Sequence, residues 1–479
     1  MRHASPAAQA PRRPARYRRR VAIAAVAASL AVLQARPAEA RQPHVPTASA
    51  AAAPYVTRPG DTLIGIAGRY LRDPGDWRAL ARGNRVSEPR HLPAGMTLRL
   101  PVALLRRDPL TASVVAMSGP VERAFRGGRY VPATVGATLA EGDCVRTGDN
   151  GFVTLELADG SHLSLPSNTE LDLTTLRQTA LVGTTVRQFA LKRGEVDSQV
   201  THATHKDDRF QIRSPSVVAG VRGTRFRVGY DDAQQATAVE VLDGAVGVAA
   251  AAANGIGNGG PQRDAYAAGQ LVGARYGSVT RASGGVGGPV ALLGAPALRN
   301  PAKVQDDSQV AFDLDPLAGA GRYRVEIARD AGVLDVVRDA HVDAPHASFA
   351  DLPDGTYFVR LSAIDTNGLQ GLPQTYAFER RLTGLSASAA RRPGSHDYEF
   401  RWLVSRAGEP GAATRFRFVL AAAPDLQHPL VDRVDLDAGH IVVSDLPAGV
   451  YYWTVVAERF ENGRFYEKAG AVQSFTLAY

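Results

Sequence analysis

A two-residue alternation of apolar and polar side chains, broken by glycine-containing turns, most narrows what this chain can fold into. Val153, Leu155 and Leu157 point one way, with Thr154 and Glu156 opposite. Asp159-Gly160 makes a hairpin-type turn, Leu163 and Leu165 continue the inward face, Pro166-Ser167-Asn168 turns again, and Leu171 and Leu173 flank Asp172. Further on, Thr224, Phe226 and Val228 share one face, while Arg225 and Arg227 share the other. Val239, Val241 and Val246 resume the pattern around Asp243-Gly244. Successive side chains on a strand point to opposite faces, so this pattern predicts sheet with one dry and one wet side. Arg222, Arg225 and Arg227 are then expected on the solvated side, one of them in a structural hydrogen bond. The 47 Gly and 30 Pro fit many short strands and turns better than long helices.

The last part of the chain repeats itself. Asp351-Leu352-Pro353-Asp354-Gly355-Thr356-Tyr357 recurs as Asp445-Leu446-Pro447-Ala448-Gly449-Val450-Tyr451. Each copy leads into an alternating run and follows others, such as Tyr323 to Ile327 and Phe416 to Leu420. A unit of ~100 residues built from short alternating strands predicts a β-sandwich. Each glycine is expected at positive φ in a turn entered after proline. The two copies resemble fibronectin type III or immunoglobulin-like modules.

Residues 55–101 follow a different rhythm. Tyr55-Val56-Thr57 reads as a short strand and Pro59-Gly60 as a turn. Asp61 or Thr62 is placed to cap a helix whose Leu63, Ile66, Ala67 and Tyr70 form one apolar stripe. Pro74-Gly75 ends it. Asp76 is placed to cap a second helix with Trp77, Leu80 and Ala81 inward, Gly83-Asn84 suits a left-handed helix end, and Thr97 to Leu100 closes as a strand.

The segments YVTRPGDTLIGIAGRY and PAGMTLRLP, with Trp77 and Asn84 between them, resemble the lysin motif (LysM). The resemblance implies binding of N-acetylglucosamine-containing glycans, chiefly peptidoglycan. It also implies a groove with Gly60, Asp61, Thr62 and Leu63 on one side and Pro89, Arg90, His91 and Leu92 on the other. The strand-rich region resembles the FecR family of periplasmic sensor domains. The carrying residues are Gly142-Asp143, Thr147-Gly148, Asp159-Gly160-Ser161, Ala219 to Phe226, Val241 to Gly244 and Ala268-Gly269-Gln270. The resemblance implies an envelope sensor with a protein partner. The segment ahead of the apolar stretch described next does not read as a cytoplasmic anti-sigma region, so direct control of a sigma factor is not expected.

Charge places the chain. Its net charge of +8 points to nucleic acid, but residues 1–40 carry eight Arg and one acid. Without them the balance is near neutral, which leaves no electrostatic footprint for nucleic acid. Those residues read as a signal peptide: an Arg-rich start, an apolar run from Val21 to Leu33, then Ala38-Glu39-Ala40. An uncleaved anchor is the alternative, although the run is short of the ~20 residues a membrane span needs.

The sequence-level architecture is therefore multidomain and mainly β. It comprises a signal peptide (1–40), an Ala/Pro-rich tether (41–54), a small α+β LysM module of strand-helix-helix-strand order (55–101), a β-rich FecR-like domain (111–280), a linker (281–300) and two sandwiches (301–382 and 383–479). At ~100–200 residues per domain, 479 residues suit such a division.

No catalytic residue, metal site or cofactor is expected. The lone cysteine, Cys144, cannot close an intrachain disulfide and reads as a small buried hydrophobe. Gly255 to Gly260 fits G-x-G-x-x-G formally but lacks the flanking strand and helix. His202 and His205 lack further ligands. The reading is a non-enzymatic, exported periplasmic or secreted envelope protein. It binds peptidoglycan through LysM and acts as a scaffold or adaptor toward an envelope protein partner. A FecR-like sensor is the second reading, and a peptidoglycan hydrolase the third.

Overall fold

The computed structural model describes residues 51–251, 269–282, 284–299, 303–381, 384–404, 414–461 and 464–478. The signal-peptide segment, most of the tether and the Gly255–Gly260 motif lie outside them. The described residues are mainly β. No helix among them is long and apolar enough to cross a membrane.

The N-terminal module has the order β1 (Ala52–Val56), α1 (Leu63–Tyr70), α2 (Trp77–Asn84), β2 (Thr97–Pro101). β1 starts three residues before the expected strand, inside the segment read as tether. It pairs antiparallel with β2, Tyr55 opposite Leu98. Leu63, Ile66 and Ala67 of α1 and Leu80 of α2 enter one apolar core with Leu98 and Leu100. That core extends beyond the module: Leu181 and Val182, at the tip of the hairpin made by Glu170–Thr179 and Thr185–Gln199, pack against it.

The strands from Arg107–Pro109 to Val290–Ala291 close into one barrel. The inward face of the alternation is dry: Val153, Leu155, Leu163, Leu165, Leu171, Leu173, Phe226, Val228, Val239, Val241 and Val246 are all buried in one cluster. Thr185–Gln199 is the hinge of this system. Its first half pairs with Glu170–Thr179 and Arg209–Arg213, and its second with His162–Leu165 and Arg225–Asp231. The change of partners falls at Gly194, whose φ is +79°, and a Cβ there would lie 2.4 Å from Thr169 Oγ1 and 2.7 Å from Thr169 Cα. Only glycine fits such a close approach at positive φ.

The stretch read as a linker is built into the fold. Val290–Ala291 pairs with Tyr276 and Gly277, Leu372 N–H donates to Leu293 C=O at 2.9 Å, and Leu293 packs on the next core.

The first C-terminal unit has a five-stranded sheet and a two-stranded one, and the second a three-stranded and a five-stranded sheet. Each has its own apolar core. The repeated Leu-Pro-x-Gly-x-Tyr element does the same work twice. Tyr357 O–H donates to Pro353 C=O at 3.1 Å, and Tyr451 O–H to Pro447 C=O at 2.7 Å. Positive φ falls on Asp351 and Asp445, not on the glycines as expected. Each glycine lies under the tyrosine ring that follows it, which comes to 3.1 Å from where a Cβ would stand at Gly355 and to 3.7 Å at Gly449.

Candidate functional site

The LysM loops are assembled by backbone bonds. Gly60, at φ +83°, turns the chain between β1 and α1. Asp61 is buried; its Oδ2 accepts from Tyr55 O–H at 2.7 Å and from Arg58 N–H at 2.8 Å. The Arg58 amide, then the Tyr55 hydroxyl, hold the Asp61 carboxyl below the usual carboxylate range. Burial, then the bond to Asp61, push Tyr55 upward. Thr62 is the helix cap, with Oγ1 accepting from Gly65 N–H at 3.0 Å. The second loop is drawn alongside by two ties. Leu63 N–H donates to Pro89 C=O at 2.9 Å, and Thr57 Oγ1 donates to Pro93 C=O at 2.6 Å.

The eight residues expected to line the groove therefore divide. Gly60, Arg90 and His91 are exposed, and Thr62 and Pro89 are half-buried. Asp61 is consumed in the turn. Leu63 and Leu92 are core residues with 0% and 7% exposure, so their side chains fill the interior rather than a groove. Ile64, absent from that set, is 46% exposed beside Leu63 on the first turn of α1. Its signal in the sequence was an apolar residue one position off the buried stripe.

Two helix-end expectations also change. Asp76 makes no side-chain cap; Asp73 accepts from Gly75 N–H at 2.8 Å and caps the short 3₁₀ turn before α2. The left-handed residue after α2 is Arg85, at φ +55°. Asn84 instead pins α2 to β2, donating to Leu80 and Arg99 C=O and accepting from Arg99 N–H at 2.6 Å.

Elsewhere chemistry is used for structure. Cys144 is buried in Asp143–Thr147, 3.0 Å from Tyr130 Oη, and burial pushes its thiol up to about 12. A thiol that stays protonated is a poor nucleophile. Among the described residues, Cys144, Glu170 and Asp172 gather within metal-ligand reach. Glu170 and Asp172 are two apart on one strand, and Cys144 joins them from the paired strand Asp143–Thr147, a neighbour that sequence spacing does not reveal. The Lys192 ammonium lies 3.2 Å from Glu170 and 3.0 Å from Asp172 and supplies the countercharge itself. The backbone N–H groups of His205 and Thr185 both donate to Asp208, so His205 belongs to a loop tie.

Of the three arginines expected on the solvated side, Arg222 and Arg225 are half-buried and Arg227 takes the structural hydrogen bond. Arg227 is 1% exposed and donates through Nη2 to the C=O groups of Gln370 and Gly371, at 2.8 and 2.7 Å, in the first sandwich. Around it Arg324 binds Asp339 and Glu195 at 2.8 and 2.7 Å, and Arg360 binds Glu326 and Asp197 at 2.7 and 2.9 Å. Glu240 accepts from Gln370 N–H at 3.2 Å. Its burial, opposed by Arg227, raises its carboxyl to about 7. Arg324, then Arg360, hold Glu326 low against its own desolvation. Phe152 of the barrel packs with Ala328, Val333 and Val336 of the sandwich, and Thr154 Oγ1 donates to Leu334 C=O at 2.6 Å.

Comparison with known proteins fits this division. Residues 55–101 match the family model described as LysM domain, and residues 143–247 the model described as FecR protein. No curated protein matches the chain. Among solved structures, a putative anti-sigma factor from Parabacteroides distasonis is 16% identical, with a TM-score of 0.23 over 31% of this chain. The chain spans only 59% of that protein. The FN1–FN3 domains of chicken CNTN1 are 13% identical (TM-score 0.22, 55% of this chain and 94% of theirs). The fibronectin(III)-like modules of Clostridium thermocellum CbhA are 10% identical (TM-score 0.20, 37% and 90%). Likeness at that level adds nothing to the sheet topology. The chain carries a LysM domain followed by a FecR-matching β region.

Proposed function

We propose that this is an exported, non-enzymatic envelope protein that binds N-acetylglucosamine-containing glycan, chiefly peptidoglycan, through residues 55–101. The barrel and sandwiches serve as a scaffold that presents a further surface to an envelope protein partner. The observation that carries the reading is the pairing of the two LysM loops by the Leu63–Pro89 backbone bond, which leaves Gly60, Ile64, Arg90 and His91 exposed around one seam. Backbone groups beside small apolar side chains suit an acetamido group. The FecR match supports a role in envelope signalling as a second reading, with a partner carrying the signal.

Co-sedimentation with purified peptidoglycan tests the glycan reading. Leu63 and Leu92 are unsuitable targets because their loss opens the core. Ile64→Asp with His91→Asp alters exposed side chains only and costs about 0.5 kcal/mol or less per site in stability. The parent is expected to pellet with the wall and the folded double variant to stay in solution. A parent that remains in the supernatant defeats the glycan reading and advances the signalling one.

A further inference from the structure

A cavity of about 310 Å³ opens where the two C-terminal sandwiches meet. Val304, Asp306 and Arg381 contribute from the first, and Thr414, Arg459 and Phe465 to Lys468 from the second. Two contacts close the seam beside it: Arg381 donates to Tyr466 Oη at 2.6 Å and stacks on its ring, and Lys468 pairs with Asp306.

Arg459 is the unusual member. Five arginines among the described residues are buried: Arg227, Arg324, Arg360, Arg380 and Arg459. Arg324 and Arg360 hold carboxylates; Arg227 holds two backbone carbonyls beside Glu240; Arg380 donates to the carbonyls of Leu352, Gln305, Asp307 and Ser308. Arg459, 8% exposed, spends Nε and Nη2 on one neutral hydroxyl, Thr414 Oγ1, at 3.3 and 3.0 Å. No carboxylate among the described residues pairs with it, and Nη1 has no acceptor among them. A buried guanidinium without an anion is costly, and its planar fork is matched by the two oxygens of a carboxylate.

We propose that this cavity binds a small apolar carboxylate. Its anionic end would meet Arg459, and its apolar part would lie against Val304, Ala457 and the exposed ring of Phe465. The volume, at the low end for a ligand pocket, admits only a small molecule or the end of a chain. Asp306 and Glu467 on the lining disfavour a dianion such as phosphate and leave room for one negative charge. This site is independent of the LysM seam.

Calorimetric titration of the protein with N-acetylphenylalanine, its amide and acetate separates charge from apolar contact. Saturable 1:1 binding of the acid is expected, with the amide and acetate each roughly tenfold or more weaker. Arg459→Gln should weaken the acid similarly, and Arg459→Lys should restore part of it. A pentapeptide ending in phenylalanine distinguishes the sources. Binding equal to that of the small acid assigns the site to a chain terminus, and weaker binding to free acids. No saturable binding of the acid, equal binding of acid and amide, or undiminished binding by folded Arg459→Gln overturns the proposal. If Arg459→Gln does not fold, Phe465→Ala, at an exposed position, must weaken the acid relative to acetate, and unchanged binding there also overturns it.

Discussion

Arg324 and Arg417 hold the same place in the two C-terminal sandwiches. Each lies on the strand that pairs with the long strand following Leu-Pro-x-Gly-x-Tyr, and each binds an aspartate on the neighbouring strand, Asp339 at 2.8 Å and Asp432 at 2.7 Å. The local chemistry is one motif used twice. The surroundings differ. Arg324 is 1% exposed beneath the barrel, whereas the Arg417 side chain is 45% exposed. The next cross-strand pair diverges too: Glu326 opposite Arg360 becomes Val419 opposite Thr454. The first repeat was turned into an interface by charges that complement Glu195, Asp197 and Arg227, and the second kept its outer face in solvent. An ion pair in the same register is thus a clamp in one place and surface decoration in the other. Charge removed from water must be fully paired, while exposed charge is screened.

The strongest way to break this comparison is Glu326→Ala. It leaves the Arg324 and Arg360 guanidinium groups short of a buried partner and is expected to cost about 3–5 kcal/mol in urea unfolding. A loss below about 1 kcal/mol, the range of an exposed pair, would show the interface to be wet.

Glu240 sharpens it through pH. Its value in the fold, about 7, lies above the ordinary carboxylate range because burial outweighs Arg227. The folded protein then holds more protons than the unfolded chain between about pH 4.5 and 7. That stabilisation is fully present below the ordinary value and is lost as pH rises through about 7. Glu240→Gln keeps the polar contact to Gln370 N–H without the charge. The parent should lose on the order of 3 kcal/mol more than the variant between pH 4.5 and 7.5, read from unfolding free energies at each pH. Parallel pH profiles would remove the carboxylate from the account. The smallest effect belongs to Arg417→Ala, expected to cost about 0–1 kcal/mol in the same unfolding measurement. A loss matching that of Glu326→Ala would erase the distinction between the repeats.

The sequence alone determined whatever rests on local periodicity. The apolar side of the barrel from Val153 to Val246, the stripe Leu63-Ile66-Ala67, the strand-helix-helix-strand order and the repeated tyrosine element all follow from side chains that alternate every two residues or recur every three to four. These patterns say which side is dry. Only the tertiary structure decided what the other side meets. Thr154 and Arg227 stand at polar positions of the alternation, yet both are buried, because another domain lies on that face. The same limit held at the candidate groove. The resemblance supplied the two loops, but the fold sent Leu63 and Leu92 inward, used Asp61 in a turn and left Ile64 exposed. Arg459, Thr414 and Tyr466 sit side by side on one sheet, but Val304, Asp306 and Arg381 close the cavity over them only when the two sandwiches dock. Periodicity reports the environment of a strand averaged along its length, whereas partners more than a hundred residues away, such as Glu195 for Arg324, are brought together by packing and leave no spacing to read.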